Sequence, residues 1–297
     1  IFGVNVSKFV NNLITISKLV PLGLFIAIGI FFINGANFTP VFPQDTYVDG
    51  SFAQAAVLLF FAYTGFEVIA IAAEDMKNPK KNLPRAIIMC MLLVSVLYMA
   101  ILAVSIGVLG TDLANTKAPV QDAFNVIVGP IGMYIVLIGT LISMGGINFA
   151  EAYYAPRVAT SMAEDGMLPS ALAKRNRYNA PYVAAIVTAI ASVLLAWSGS
   201  FTTLAAISAV SRFTQYLPTC LAVIIFRRKW ADKARSYTIP GGYLIPVIAI
   251  GTSLWMLAQA QTNQLLWGLG GCIVILPFYY SYWKKKKAGL IKDHDEM

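Results

Sequence analysis

Long apolar runs separated by short polar segments are the dominant pattern of this 297-residue chain. Eight runs are long enough to cross a hydrocarbon layer of about 30 Å as helices. We place them at 13–33, 52–73, 86–109, 129–153, 182–199, 203–226, 243–261 and 265–283. A turn at 197–200 separates the fifth run from the sixth, and a turn around Asn263 separates the seventh from the eighth. The sequence therefore predicts an all-α integral membrane protein with about eight spans.

The basic residues lie in alternate polar segments. Positively charged loops stay in the cytoplasm, so we expect every even-numbered span to end there, together with residues 1–12 and the C-terminus. The opposite loops hold only Lys117. A plasma (inner) membrane location is expected. The basic groups that follow the second, fourth, sixth and eighth spans are Lys77, Lys80, Lys81 and Arg85; Arg157, Lys174, Arg175 and Arg177; Arg227, Arg228, Lys229, Lys233 and Arg235; and Lys284 to Lys287 with Lys292.

Composition supports the membrane class and argues against several others. The chain is 58% hydrophobic and 12% charged, with a mean hydropathy of +0.69, which is outside the balance of soluble domains. Its net charge of +8 is spread over short loops, so we expect no nucleic-acid partner. Cys90, Cys220 and Cys272 lie in apolar runs without CxxC spacing, and no phosphate-binding motif or nucleophile–base pair is present. We therefore predict no metal site, no cofactor and no enzyme activity.

The stretch Phe-Phe-Ala-Tyr-Thr-Gly-Phe-Glu at 60–67 places a glycine and an acid halfway along the second apolar run. Water is absent at that depth, so backbone groups released by a helix break need partners, and such a break indicates a solute site. Glycine is also common in membrane helices, and an acid can simply hydrogen-bond to a neighbouring helix. The eight residues alone leave both interpretations open.

Residues 61–67, followed by Glu74, Asn78-Pro79, Pro84 and Ala86-Ile87, resemble the sixth transmembrane helix and the following cytoplasmic loop of the amino acid-polyamine-organocation permeases. The Pro156-Arg157 and Asp165-Gly166 pairs, with Pro169, resemble the loop after the eighth helix of these permeases, and look like a helix end followed by a short amphipathic piece.

The resemblance covers nearly the whole chain and matches its first span to the fifth family helix. It implies a LeuT-like inverted-repeat transporter fold in one partial domain, 1–297, with the first four helices missing. The second repeat would occupy about 52–226, two extra helices about 243–283 and a cytoplasmic tail 284–297. The chain begins without Met, which also leads us to expect a fragment or a processed product that does not transport alone.

In these permeases the carbonyls of the broken sixth helix meet the substrate amino group. The resemblance assigns that role to Phe61, Ala62 and Thr64, with Gly65 allowing the break and Phe61 also forming an aromatic gate. Glu67 would brace the helix or touch substrate, and Glu74-Asp75 with Asn78-Pro79 would cap and gate the cytoplasmic mouth. The predicted substrate-binding residues are Phe61, Ala62, Tyr63, Thr64, Gly65, Glu67, Glu151 and Arg212.

Lys18 lies inside the first apolar run and has two interpretations. It is about five residues, or roughly 8 Å, inside the span, so its ammonium can reach the interface by snorkelling. It also matches a lysine that many of these permeases carry in their fifth helix. A desolvated lysine can release its proton, which leads to the hypothesis that Lys18 couples transport to protons.

Arg212 lies near the middle of the sixth run, where an unpaired charge costs at least ~3 kcal/mol, so a partner is expected. We predict Glu151 as that partner, in a pair that is either structural or tunes side-chain preference.

The predicted function is secondary active transport of amino acids or related amines, by proton symport. An amino acid/amine exchanger and a non-transporting fragment that acts through a partner chain are the alternatives. The expected partners are the small-molecule amino acid, the proton and the lipid bilayer, while the oligomeric state is not predicted.

Overall fold

The computed structural model describes residues 4–40, 50–67, 69, 76–232, 235 and 237–287, which form helices and connecting turns with no strand among them. Predictions that involve Glu74, Asp75, the end of the second span or the tail after residue 287 lie outside these residues. The helices are α1 (Val4–Gly29), α2 (Ser51–Ala62), α3 (Pro79–Leu109), α4 (Pro119–Val128), α5 (Pro130–Glu164), α6 (Tyr182–Ser198), α7 (Phe201–Lys229), α8 (Leu244–Gln259) and α9 (Thr262–Lys287).

The predicted all-α membrane class is confirmed. Among the described residues, five segments are long and apolar enough to cross a bilayer, and they include most of α1, α3, α5, α7 and α9. The other predicted spans contain the shorter apolar helices α2, α6 and α8. With 12 residues, α2 rises only about 18 Å, roughly three fifths of the hydrocarbon thickness of about 30 Å.

One compact unit contains residues 1–47 and 92–154. Its buried core consists of Phe25, Val104, Ala123, Phe124 and Val136. The rings of Phe25 on α1 and Phe124 on α4 meet edge to face, with centroids 5.7 Å apart. Such a contact between aromatic rings adds to the packing of α1 on α4.

The short helix α4 was not predicted. Its ten residues are too few to span, so a search for long apolar runs passes over it. A signal was present nevertheless, since Val120, Ala123, Phe124 and Ile127 have the i, i+3, i+4, i+7 spacing of one helix face, and all four lie in or against the core. Pro119, at the start of α4, fits the first turn of a helix.

A close approach of α1 and α5 depends on Gly139. A Cβ there would lie 2.6 Å from Pro21 Cγ and 2.9 Å from the Ser17 carbonyl oxygen. Because a ring and a backbone atom cannot turn aside, we expect Gly139→Ala to lower the free energy of unfolding by about 1–3 kcal/mol. A lower apparent melting temperature of the complete gene product in detergent would show this.

Gly145→Ala is the matched control for Gly139→Ala. Gly145 lies on the same helix, and a Cβ there would have no heavy atom of another described element within 4 Å. Equal melting temperatures for the two variants would contradict the proposed close packing at Gly139.

The second compact unit contains residues 48–91 and 155–297. Its centre is α7, which packs against α2, α8 and α9. Small side chains on α7, Ala206 and Ala209, form a buried cluster with Val57 of α2, and Phe213 is also fully buried. Small residues at the contact let helix backbones approach closely in a membrane protein.

The predicted helix end near Asp165-Gly166 is confirmed. Helix α5 ends at Glu164, and Gly166 adopts a φ of +78° beyond it. A 3₁₀ turn follows at Ser170–Ala173, where the Thr160 hydroxyl donates to the Leu172 carbonyl at 3.1 Å. Glu164 and Arg175 form an exposed ion pair at 2.9 Å that ties the loop to the helix.

Candidate functional site

Helix α2 stops inside the predicted second span, as the sequence indicated. The last helical residue is Ala62, and the Tyr63 and Thr64 amides donate to the Phe60 and Phe61 carbonyls at 3.1 Å each. Gly65 then has a φ of +107°, a conformation that residues with a Cβ rarely adopt. The interruption at Gly65 is therefore confirmed, and it leaves a helix C-terminus, with its partial negative charge, inside the predicted second span.

The Phe61 carbonyl, predicted to meet a substrate ammonium, already has local donors. It accepts the Thr64 amide at 3.1 Å and the Thr64 hydroxyl at 2.7 Å. A carbonyl oxygen has two lone pairs, so a substrate would have to displace the hydroxyl to bind there. The binding roles of Phe61, Ala62, Tyr63 and Thr64 stay predictions.

Glu67 bridges the broken end of α2 to α7. Its Oε2 accepts the Gly65 amide at 2.9 Å and the Tyr216 hydroxyl at 3.2 Å. Its Oε1 is buried and forms an ion pair with Nη1 of Arg212. The Glu67 side chain is 17% exposed and that of Arg212 is 34% exposed. One carboxylate thus holds the break, a tyrosine and an arginine together.

The predicted partner of Arg212 was wrong. Arg212 pairs with Glu67, whereas Glu151 is an exposed residue of the other compact unit. The physical reason is the packing of α2 on α7, which brings the residues just after the α2 break to the middle of α7. The expectation that Arg212 needs a carboxylate partner is confirmed.

A group of aromatic rings is linked to this ion pair through Tyr216, whose hydroxyl donates to Glu67. Phe60 stacks on the buried Phe213 with ring centroids 4.7 Å apart, and Tyr216 contacts both Phe60 and Phe66 at 5.9 Å and 5.8 Å. Tyr216 was missed by sequence reasoning. The available signal was its spacing of four from Arg212, which places the two side chains on one face of α7.

Lys18 belongs to the other compact unit. It is partly buried and lines a groove of about 130 Å³ with α5 residues that include Gly139, Thr140 and Ser143. Hydroxyl groups in such a groove can accept a hydrogen bond from the Lys18 ammonium or from a water molecule that has taken up its proton. The roles of Lys18 and Glu151 stay predictions.

Comparison with known proteins identifies the family of this chain. The family described as amino acid permease matches residues 1–282. A branched-chain amino acid permease and a methylthioribose transporter, both of Bacillus subtilis, are each 30% identical over 95% of this chain and 61% of the relative. A serine/threonine exchanger of the same organism is 28% identical over 97% of this chain and 67% of its own length.

The chain therefore spans about three fifths of the length of the first two of these relatives. All three are transporters by description, and none is described as an enzyme. The match to the family includes all of the described residues at the helix break and the ion pair. This chain is a multi-pass integral membrane protein that belongs to the amino acid permease family.

Proposed function

We propose that this chain supplies the substrate site of a secondary transporter that carries amino acids or related amines across the plasma membrane. The observation that supports it most is the helix break at Gly65, inside the predicted second span of a chain that belongs to the amino acid permease family. A broken helix offers carbonyl acceptors for a substrate ammonium without an exposed charge in the bilayer. Because the relatives are longer than this chain, the activity is proposed for the complete gene product.

Proton symport is the proposed mode of coupling, and it depends on Lys18. The groove beside this residue contains the hydroxyls of Thr140 and Ser143, which could relay a proton. Exchange is the second candidate, favoured by the similarity to a serine/threonine exchanger. A cytoplasmic C-terminus belongs to the same proposal and rests on the distribution of Lys and Arg.

Uptake into proteoliposomes tests the function. The complete gene product is reconstituted, and a mixture of labelled amino acids is supplied with and without an inward proton gradient. Accumulation that depends on the gradient would support symport. Uptake only into vesicles preloaded with an amino acid or an amine would replace symport by exchange. No uptake in either case would contradict transport and favour a non-transporting membrane protein that acts through a partner chain.

The Lys18→Ala variant is expected to lose gradient-driven accumulation while it keeps exchange of labelled for unlabelled amino acid. The reason is that alanine has no proton to release, whereas the substrate site itself is unchanged. Lys18→Arg should behave in the same way, because a guanidinium stays protonated. Lys117→Ala is the control, since Lys117 lies in a loop predicted to be outside the cytoplasm. Accumulation by Lys18→Ala at the wild-type level would contradict proton coupling through this residue.

A further inference from the structure

We propose that the Glu67–Arg212 ion pair selects amino acids with uncharged side chains by cancelling the two charges that would otherwise attract charged ones. The inference rests on the proposed function, because it assigns a specificity to the site at the broken end of α2. It concerns which solutes are carried and is independent of symport or exchange.

The geometry leaves the Glu67 carboxylate few free acceptor positions. Its Oε1 is buried against Arg212, and its Oε2 accepts two hydrogen bonds, from Gly65 and Tyr216. A substrate ammonium on a lysine-like side chain would have to displace one of these donors. Displacing Arg212 would leave a guanidinium without its counter-charge inside the membrane, which is unfavourable.

Arg212 is the more accessible partner, with 34% of its side chain exposed against 17% for Glu67. An anionic side chain could therefore approach the guanidinium, but the neighbouring Glu67 carboxylate would repel it. Each partner thus protects the other from a charged solute. The pair presents a net charge of zero to the site.

The surroundings of the pair favour apolar contacts. Phe60 and Phe66 both contact the Tyr216 ring, and Phe60 also stacks on the buried Phe213. Where apolar rings reduce the access of water, both the attraction within the pair and the penalty for an unmatched charge are stronger. An uncharged side chain meets no such penalty there.

A pair that only braced the helix would give a different result when one charge is removed. Both single substitutions would then reduce the uptake of all amino acids by the same factor. A specificity role predicts opposite changes, because Glu67→Gln leaves a cation and Arg212→Gln leaves an anion. Glu67→Gln also keeps a side-chain oxygen that can accept the Gly65 amide, so the brace is retained.

The experiment measures uptake of labelled leucine, lysine and glutamate by the complete gene product in proteoliposomes. We expect the wild type to prefer leucine. Glu67→Gln should raise the ratio of glutamate to leucine uptake by about tenfold or more, and Arg212→Gln should do the same for lysine. The controls are Glu164→Gln and Arg175→Gln, which each remove one charge of the exposed loop pair and should leave the ranking unchanged.

Unchanged ratios in both single variants, or equal losses for all three solutes, would overturn the inference. The double variant Glu67→Gln, Arg212→Gln covers the case in which a single variant does not fold, because it leaves no unpaired charge. It should keep the preference for leucine, and a gain of either charged solute would also overturn the inference. A wild type that prefers lysine or glutamate contradicts this inference alone, whereas a wild type without any uptake contradicts the proposed function as well.

Discussion

Gly65→Val is expected to lower amino acid uptake by the complete gene product by about 5- to 150-fold. Gly65 has a φ of +107°, and a β-branched residue in this region of φ is a genuine outlier. A strained backbone conformation of this kind costs about 1–3 kcal/mol, which corresponds to that range if uptake requires the conformation. Among the described residues other than its two chain neighbours, no heavy atom lies within 4 Å of a Cβ built at Gly65, so a steric clash with them does not explain the loss.

A change of backbone conformation at residue 65 is also expected to disturb the Glu67–Arg212 ion pair. The Gly65 amide donates to the same carboxylate that holds Arg212, so a shift of this amide moves Glu67. Initial rates of uptake in proteoliposomes, corrected for the amount of protein inserted, provide the measurement. Gly251→Val in α8 is the control, since a Cβ at Gly251 also has no heavy atom of another described element within 4 Å and the φ of Gly251 is not positive. Wild-type rates in Gly65→Val would contradict a role for the helix break.

Phe213→Ala is expected to lower the free energy of unfolding by about 3–5 kcal/mol, the usual cost of removing a fully buried phenylalanine. Phe213 is 0% exposed, and its ring stacks on Phe60 at 4.7 Å in the last turns of α2. The cavity left by alanine would lie against Phe60, in the last turn of α2 before the helix break. We therefore expect a loss of stability and a weaker attachment of the α2 end to α7.

The apparent melting temperature in detergent, followed by size-exclusion chromatography after heating, measures this loss. Phe31→Ala is the control, because Phe31 is 84% exposed and its ring contributes little to the packing of the chain. A melting temperature of Phe213→Ala within a degree or two of that control, a difference of about 0.5 kcal/mol or less, would contradict the packing described for α2 and α7.

The sequence predicted best those features that depend on local pattern. Long apolar runs indicate helices, because a segment inside a bilayer must form all of its backbone hydrogen bonds internally. Most of the predicted spans therefore coincide with helices of the structure. Gly65 was identifiable because a glycine within an apolar run ahead of an acid is a local signal. The sequence also predicted that Arg212 needs a carboxylate partner, since an unpaired charge in the middle of a membrane span is unfavourable.

Features that depend on which helices pack together were not predictable from these patterns. The choice between Glu67 and Glu151 as the partner of Arg212 follows from the packing of α2 on α7. Tyr216 enters the site for the same reason, as its hydroxyl reaches a carboxylate that is 149 residues away in sequence. Periodicity gives the face of a helix that is buried and leaves open which helix covers it.

Substrate protection of a cysteine placed at the helix break tests the central claim most directly. Ala62 is exposed at the last turn of α2, so Ala62→Cys offers a small reactive group at the proposed site. The native cysteines Cys90, Cys220 and Cys272 are first replaced by serine. Ser170→Cys, in an exposed loop turn, is the control. We predict that a transported amino acid slows labelling of Ala62→Cys by a water-soluble thiol reagent and leaves that of Ser170→Cys unchanged. Equal labelling rates of Ala62→Cys with and without that amino acid would contradict a substrate site at the end of α2.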